Sequence, residues 1–294
     1  MSRSDHSAGL AARSSVVGAD GTALRFGVYL PPMGPLGDPE VLVELGVRAE
    51  AAGWDGVFLW DHVLTDHPPI ADTWTTLAAI AQATSTIRMG PMVTPLPRRR
   101  PWVVARQAAT VAQLSRGRLV LGVGLGVDET GDLSSFGEAT AMSDRKQLLT
   151  EGLDVIRAMW SGAPYVHSGS HVVNLPASEA TPYRPPIWMA SSTGAPSVLA
   201  RAASCDGICH NPPDHEATPE EVADLVRELR RAGVDDQRRF DVVVRGNASA
   251  AWPETPSVDL AGLAEAGATW WMEGLIYFDP LEMSLDVVDA GPPG

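Results

Sequence analysis

The feature that most constrains the fold is the regular alternation of short β-branched runs with amphipathic segments along the chain. Apolar residues spaced three and four apart indicate helices, and the short runs between them indicate strands. Strand and helix in strict alternation imply a parallel sheet, and eight such units close most naturally into a barrel. The predicted strands are 24–30, 56–60, 87–93, 118–124, 187–191, 207–210, 241–245 and 269–273, and the predicted helices are 39–52, 72–83, 101–115, 144–161, 195–203, 219–232, 257–266 and 280–289. The sequence therefore predicts an α/β protein with a (β/α)8 TIM barrel.

An open, doubly wound parallel sheet is the alternative that the same alternation allows. Dinucleotide-binding sheets of that kind carry a G-x-G-x-x-G turn after the first strand, whereas residues 31–37 here read PPMGPLG. The length of 294 residues suits one barrel, which typically needs about 250 residues. Residues 1–23 are rich in Ser, Ala, Gly and Asp without apolar periodicity, so we expect a flexible leader there and a single domain over 24–294.

The acidic balance of the chain argues against nucleic acid as a partner. The formal net charge is −14, and Arg98–Arg100 is the only dense basic cluster, which is too small to neutralise a polyanion. No stretch approaches the roughly 20 apolar residues that span a bilayer, and the first residues lack the apolar region of a signal peptide. We therefore expect a cytoplasmic protein without a membrane or nucleic-acid partner.

Two connections are unusually long for a compact domain: residues 125–143 after the fourth strand and residues 162–186 after the fourth helix. Loops of this length usually cover a functional site. The second connection contains VHSGSHV at 166–172, which is typical of a small hairpin. Together with residues 31–37 and 62–72, the first connection is expected to decide which substrate enters.

Polar and glycine-rich motifs end three of the predicted strands, at the face where barrel enzymes keep their chemistry. Asp61 and His62 end the second strand, where an imidazole can exchange a proton near neutral pH or simply bond to a loop. The glycines of Gly122–Gly126 end the fourth strand and allow close backbone approach to a ring or phosphate, although strand packing alone explains two of them. Ser191–Gly194 follows the fifth strand and indicates either an anion site or an ordinary helix N-cap.

Six stretches carry a resemblance to a known family. They are LRFGVYLPPMG (24–34), AAGWDGVFLWDHV (51–63), IRMGPMVTPLPRRRP (87–101), SRGRLVLGVGLG (115–126), EGLDVIRAMW (151–160) and PIWM (186–189). In this order and spacing they resemble the luciferase-like family of flavin- and deazaflavin-dependent oxidoreductases. The resemblance runs from about residue 24 to about residue 275.

The resemblance implies a barrel that binds reduced FMN or the deazaflavin coenzyme F420 across its strand ends. It implies His62 and Asp61 as catalytic residues at the edge of the cofactor ring and a non-proline cis peptide bond between Met92 and Val93 behind that ring. It also implies a phosphate contact in the loop after the fifth strand. The predicted cofactor contacts are Met92, Val93, Gly124, Leu125, Gly126, Ala190, Ser191, Ser192 and Thr193.

One position departs from part of the family. Some F420-dependent dehydrogenases in it carry an acidic residue directly after the last glycine of the fourth strand, where this chain has Val127. Asp128 and Glu129 are near but offset. This departure weakens a reading as a sugar-phosphate dehydrogenase.

The leading hypothesis is an oxidoreductase, either a monooxygenase or a hydride-transfer enzyme, that acts on a small organic molecule through FMN or F420. A cofactor-binding barrel without turnover is the first alternative. The second is a metal-dependent barrel hydrolase using the histidines at 67, 167, 171, 210 and 215, but the hairpin pattern around His167 and His171 argues against a metal site. The sequence leaves a homodimer and the choice between the two cofactors open.

Overall fold

In the computed structural model, residues 16–235, 237–247 and 258–293 are described. Strands and helices alternate along the chain much as the sequence predicts. The strands are β1 (Arg25–Leu30), β2 (Gly56–Leu59), β3 (Arg88–Pro91), β4 (Thr94–Pro95), β5 (Leu121–Gly124), β6 (Tyr165–Ser168), β7 (Val172–Leu175), β8 (Ile187–Ser191), β9 (Gly207–His210), β10 (Asp241–Gly246) and β11 (Trp270–Gly274). The helices are α1 (Pro39–Ala52), α2 (Thr73–Ala83), α3 (Pro101–Leu114), α4 (Met142–Ser161), α5 (Pro196–Ala202), α6 (Pro219–Arg231), α7 (Leu260–Glu265) and α8 (Leu281–Ala290).

Nine parallel strands form a nearly closed barrel in the order β3-β2-β1-β11-β10-β9-β8-β5-β4. The predicted barrel is therefore confirmed, with one correction. The third predicted strand, 87–93, ends at Pro91 as β3, which pairs with β2, and a separate short strand beyond it, β4, pairs with β5. The peptide bond between Met92 and Val93, the two residues that separate β3 from β4, is cis, as the resemblance implied.

Both long connections carry structure of their own. The first contains a single 3-10 turn at Ser134–Phe136. The second contains the antiparallel hairpin of β6 and β7, which confirms the hairpin predicted from the sequence. This hairpin is a separate two-stranded sheet outside the barrel.

Ordered structure begins before the first barrel strand. Val17 and Ala23 form an antiparallel bridge, and the amide of Leu24 donates to the carbonyl of Val16 at 2.8 Å. Val16 also packs against the main hydrophobic core. Residues 16–23, which the sequence assigned to the flexible leader, therefore lie against the barrel, whereas residues 1–15 of that leader lie outside the described residues.

The first helix illustrates how local sequence sets the element boundaries. The Asp38 side chain accepts a hydrogen bond from the amide of Glu40, and Pro39 occupies the first helical position, where its missing N–H costs nothing. At the other end Gly53 adopts a left-handed conformation with φ of 90°, which favours glycine. The predicted cap and stop signals are both confirmed.

The hydrophobic core has an inner and an outer part, since each strand of a parallel barrel is covered on both faces. Trp270 and Trp271, consecutive in β11, separate accordingly: Trp270 belongs to the inner cluster and Trp271 to the outer one. The inner cluster consists of Phe58, Met92, Val120, Trp188, Val243, Trp270 and Met272. The barrel interior is thus filled by side chains, and any ligand must bind at its ends. None of the helices formed by the described residues is long and apolar enough to cross a membrane.

Candidate active site

Aromatic side chains line one side of the mouth of the barrel, at the C-terminal ends of the neighbouring strands β2, β1 and β11. The ring of Trp60, directly after β2, lies with its centroid 5.4 Å from that of Tyr29 in β1 and 6.1 Å from that of Tyr277, in the loop after β11. The guanidinium of Arg245, near the end of β10, lies 5.8 Å from the centre of the Tyr29 ring. Burial raises the pKa of the Tyr29 hydroxyl, so this phenol stays protonated at neutral pH. The mouth therefore presents an aromatic rim suited to a planar ligand.

His62 lies beside this rim, and its partner is Asp132. The imidazole Nδ1 is 2.6 Å from Asp132 Oδ2, and the His62 and Trp60 rings are 6.0 Å apart. The same carboxylate accepts hydrogen bonds from the amides of Val63 at 3.1 Å and Leu64 at 2.7 Å. Asp132 is 2% exposed, whereas the His62 side chain is 21% exposed. The Asp132 carboxylate is therefore buried, and the His62 imidazole bonded to it is partly exposed at the mouth.

Asp132 was missed by reasoning from the sequence. It lies 70 residues from His62, in the connection 125–143, which the sequence indicated only as a cover for the site. Asp128, the nearby acid that the sequence singled out, instead accepts amide hydrogen bonds within its own loop. No spacing rule links two residues so far apart, so the only available signal was an acidic residue in a long loop.

Asp61, the neighbour of His62 in sequence, makes a different set of contacts. Its carboxylate accepts a hydrogen bond from Thr94 Oγ1 at 2.9 Å and forms ion pairs with Arg98 at 3.1 Å and Arg99 at 2.6 Å. The Asp61 side chain is 1% exposed. These contacts tie the end of β2 to the segment after β4, and the catalytic role expected for Asp61 stays a prediction.

The loops expected to select the substrate meet at this mouth. The amide of Gly34, in 31–37, donates to the carbonyls of His67 at 2.7 Å and Pro69 at 3.0 Å, in 62–72. A cavity of about 630 Å³ opens between these loops and the loop after β11. It is lined by Gly34, Pro35, Asp66, His67, Pro68, Pro69, Tyr277 and Phe278. Its walls are thus rich in proline and aromatic residues.

The glycines at the end of β5 are required by packing. A Cβ on Gly122 would stand 2.3 Å from a backbone oxygen of β3, and one on Gly124 would stand 2.6 Å from Val93 Cγ2. Gly126 has a φ of 76°, a conformation that disfavours other residues. The alternative of tight strand packing therefore explains Gly122 and Gly124, and contact between Gly124–Gly126 and a cofactor stays a prediction.

The loop after β8 is held by a hydrogen bond between two of its own residues. Ser191 Oγ accepts a hydrogen bond from the amide of Gly194 at 3.1 Å, and Ser191 is buried while Ser192 and Thr193 are exposed. The N-cap of α5 is Ala195, which has no capping side chain, so the alternative of an ordinary hydroxyl N-cap does not hold. Thr193 Oγ1 accepts a hydrogen bond from the amide of Ala195 at 3.4 Å, and Ser192 and Thr193 are both accessible to a ligand.

The remaining predicted contacts lie on adjacent strands. Met92 joins the inner cluster, Leu125 packs at the edge of the outer core, and Ala190 is half-buried in β8. Because β4 pairs with β5 and β5 pairs with β8, the strand ends carrying these residues are neighbours. The structure therefore brings the predicted contacts to one side of the mouth.

Comparison with known proteins identifies the family. The family of luciferase-like monooxygenases matches residues 22–274. The chain belongs to this family.

Among curated relatives, an F420-dependent glucose-6-phosphate dehydrogenase of Amycolatopsis mediterranei (strain U-32) is 31% identical over 198 residues, which are 65% of this chain and 59% of the relative. F420-dependent glucose-6-phosphate dehydrogenase 1 of Rhodococcus jostii (strain RHA1) is 33% identical over 218 residues, 70% of this chain and 64% of the relative. The chain thus spans less than two thirds of the length of these relatives.

Solved structures share the luciferase-like barrel over nearly the whole chain. An F420-dependent secondary alcohol dehydrogenase in complex with an F420-acetone adduct superposes with a TM-score of 0.71 at 19% identity, covering 92% of this chain and 98% of that one. A coenzyme F420-dependent tetrahydromethanopterin reductase from Methanopyrus kandleri gives a TM-score of 0.68 at 17% identity, covering 91% and 98%. At these identities the likeness establishes the fold.

The mouth of this luciferase-like barrel has a polar atom that suits a flavin or deazaflavin ring. Trp60 Nε1 is buried and has no hydrogen-bond partner among the described residues. His210 Nδ1 is also buried without a partner among them, but its neighbour Cys209 packs against the inner cluster, so His210 points outward from the barrel. There His210 lies near Glu221 and His215. Because buried polar groups are normally paired, a ring with nitrogen and oxygen atoms at its edge is a fitting partner for Trp60 Nε1. Together with the aromatic rim, this atom therefore fits the cofactors that the resemblance implied.

A metal centre has no comparable support. Within the described part of the chain, no group of three or more His, Cys, Asp or Glu side chains is arranged to hold a metal ion. His167 instead contacts Glu151 at 3.2 Å, and His215 pairs with Glu221 at 2.8 Å. These two histidines contact different carboxylates, so the structure gives no support to the metal-dependent hydrolase alternative.

Proposed function

We propose that the protein is an oxidoreductase that transfers a hydride between coenzyme F420 and an oxygen-bearing carbon of a small organic substrate. The observation that carries the proposal is the His62–Asp132 pair at the aromatic mouth, with Nδ1 and Oδ2 2.6 Å apart. F420-dependent activity in the names of the relatives supports the choice of cofactor. When bound, F420 supplies a two-electron carrier that takes or gives a hydride.

The His62–Asp132 contact decides which imidazole nitrogen handles the proton. A carboxylate only accepts hydrogen bonds, so Nδ1–H donates to Asp132 and Nε2 keeps its lone pair. In the oxidation of an alcohol, Nε2 takes the hydroxyl proton as the C–H bond of the same carbon gives up its hydride. In the reverse direction the imidazolium returns that proton to the oxygen. Asp132 stabilises the imidazolium that forms between these events.

The Val63 and Leu64 amides hold the Asp132 carboxylate in place. A base oriented by fixed hydrogen bonds needs no rearrangement during the reaction. Asp132 is thus proposed as a positioning residue that acts through His62, and His62 as the catalytic residue. Asp132→Asn should lower kcat more than it raises KM, and it should shift the pH dependence of kcat.

The mouth cavity indicates the class of substrate. Its lining residues include no Lys or Arg, and Tyr277 and Phe278 give it aromatic walls. A phosphorylated sugar would find no basic side chain in this cavity, although Arg245 lies nearby at the mouth beside Tyr29, whereas a neutral alcohol or carbonyl compound would bury apolar surface against the aromatic walls. This argument and Val127 both favour a neutral organic substrate over glucose 6-phosphate.

The F420 phosphate is proposed to contact the loop Ser191–Thr193, whose two exposed hydroxyls lie next to the strand end of β8. Replacing Ser191 and Ser192 together with Ala should weaken F420 binding by about 1.5–3 kcal/mol for each charge-assisted hydrogen bond lost. Isothermal titration with F420 measures this change, and the exposed Ser134→Ala is the control. Unchanged affinity would place the phosphate elsewhere, with Arg245 the next candidate.

The decisive experiment measures F420 reduction, followed by loss of absorbance near about 420 nm, with a panel of neutral secondary alcohols and with glucose 6-phosphate. His62→Ala should bind F420 normally and turn over about 10²–10⁴-fold more slowly, the usual effect of losing a positioned acid–base group. His215→Ala, an exposed histidine paired with Glu221, is the matched control.

Three outcomes would contradict the proposal. Binding of FMN with no affinity for F420 would reassign the cofactor, and cofactor binding without turnover of any substrate would favour the binding-module alternative. Wild-type turnover in His62→Ala would remove the assigned proton path.

A further inference from the structure

A second cavity of about 520 Å³ opens at the opposite end of the barrel, where β3, β8 and β10 begin. Four arginines line it: Arg88, Arg157, Arg184 and Arg239. This concentration of positive charge is unusual in a chain whose formal net charge is −14. The site is distinct from the mouth described above, because Arg88 begins β3 while His62 follows the end of β2.

The two carboxylates in the cavity wall form their direct ion pairs with other arginines. Asp241 pairs with Arg25, and Asp206 pairs with Arg238 at 3.4 Å; neither arginine lines the cavity. Among the lining arginines, Arg157 contacts Asp154 at 3.7 Å and donates to the carbonyl of Ser204 at 2.8 Å. The side chains of the other three have no ion pair or hydrogen bond with any described residue.

The Arg88 side chain is half-buried in this environment. Burial lowers its pKa, and the nearby charges of Arg239 and Arg25 lower it further against the attraction of Asp241. Arg25 Nη1 is itself buried without a hydrogen-bond partner, and its guanidinium lies 4.5 Å from the centre of the Trp270 ring at the floor of the barrel. The guanidinium groups of Arg88, Arg239 and Arg25 thus repel one another. The attraction of Asp241 and, for Arg25, of Asp55 opposes this repulsion.

We propose that this basal cavity binds a small organic phosphate, with Arg88 and Arg239 as its ligands. A phosphate monoester carries a charge of about −1.5 to −2 at neutral pH, which matches the excess positive charge, and guanidinium groups bind phosphate oxygens through paired N–H donors. Pro185, Pro186 and Ile187 form an apolar wall beside the arginines. The volume exceeds what an inorganic ion needs and lies within the range of small-molecule sites. This proposal is independent of the F420 chemistry proposed for the mouth.

The test is a calorimetric titration of the full chain with phenyl phosphate, inorganic phosphate and phenol at matched ionic strength in chloride buffer. We expect saturable binding of phenyl phosphate, weaker binding of inorganic phosphate and none of phenol. The double variant Arg88→Gln/Arg239→Gln should bind phenyl phosphate at least tenfold more weakly. Arg231→Gln, which changes an exposed arginine on α6 paired with Glu228, is the control and should bind like the wild type.

A stability measurement separates a ligand role from a structural one. Because Arg88 makes no side-chain hydrogen bond and faces like charges, Arg88→Gln should unfold at the same or a higher temperature than the wild type in chloride. The wild type alone should gain stability from phenyl phosphate. The titration is repeated in the Ser191→Ala/Ser192→Ala variant, where binding should persist if it occurs at this end of the barrel.

The proposal would be overturned if no phosphate binds saturably, if the double variant retains affinity, or if the serine variant loses it. Equal affinity for inorganic phosphate and phenyl phosphate would overturn the assignment of an organic ligand.

Discussion

Asp61 and His62 are adjacent in the chain, yet the fold gives their side chains separate environments. The Asp61 carboxylate is buried between two arginines, whereas the His62 imidazole reaches the mouth and pairs with Asp132. Breaking a buried ion pair by removing one partner leaves an uncompensated charge, which costs more than the pair contributed. The contacts of Asp61 are therefore those of a residue that holds the β2 end in place.

Asp61→Asn should lower the free energy of unfolding by about 3–5 kcal/mol, because Arg98 and Arg99 lose their counter-ion. Chemical denaturation measures the change, with Asp66→Asn as the exposed control in the same loop. If Asp61→Asn kept full stability but lost turnover, the catalytic role predicted from the sequence would be supported instead.

At the scale of elements, the β6–β7 hairpin is attached to the barrel through α4. Glu151 of α4 accepts hydrogen bonds from Gln147 at 2.8 Å and from the amide of His171 at 3.2 Å, and it contacts His167 Nε2 at 3.2 Å. Burial acts to raise the pKa of Glu151, but the hydrogen bonds from Gln147 and His171 and the close contact with His167 outweigh it and lower the pKa to about 2. The carboxylate therefore fastens the hairpin in its ionised form.

This attachment should depend on pH in a definite direction. Since the pKa of Glu151 falls from its ordinary value of 4.5 to about 2 on folding, its ionised form stabilises the fold above about pH 4.5. That contribution is lost as the pH falls from 4.5 toward 2. The difference in unfolding free energy between wild type and Glu151→Gln should therefore be largest above pH 5 and shrink below it. Glu138→Gln, an exposed loop carboxylate, should show no such trend, and a constant difference for Glu151→Gln would contradict the account.

At the scale of the whole molecule, the dominant electrostatic property is the excess of 36 acidic over 22 basic residues. Self-repulsion of a large net charge destabilises the compact state, and salt screens it. The screening length falls from about 30 Å at 0.01 M to about 8 Å at 0.15 M ionic strength.

The free energy of unfolding at pH 7 should therefore increase as sodium chloride is raised over that range. The buried ion pairs of Asp61 with Arg98 and Arg99 should weaken only slightly as salt is added, because salt screens buried pairs weakly. They should therefore offset little of the increase in stability. Denaturation curves at fixed pH check the direction, and a decrease in stability would mean that surface ion pairs outweigh the net repulsion.

The alternation of strands and helices, the Asp38 cap, the Gly53 stop and the hairpin at 166–172 were all predictable, since each depends on residues close together in the chain. Hydrophobic periodicity, caps and turn residues act on the conformation of the segment that contains them, so they can be recognised without knowledge of the fold. The resemblance added the cis peptide bond at Met92–Val93 and the end of the barrel at which to look for the site.

What only the tertiary structure decided are the contacts between distant residues. Four features depend on barrel closure and on the path of long loops: the pairing of Asp132 with His62, the pairing of Asp61 with Arg98 and Arg99, the separate strand β4, and the arginine cavity at the base. Local sequence sets which residues are polar, but it does not set which of them meet, because that is determined by strand order and register. The sequence by itself therefore determined the barrel and the strand ends at which the chemistry is expected, while closure of the barrel decided the partner of each candidate side chain.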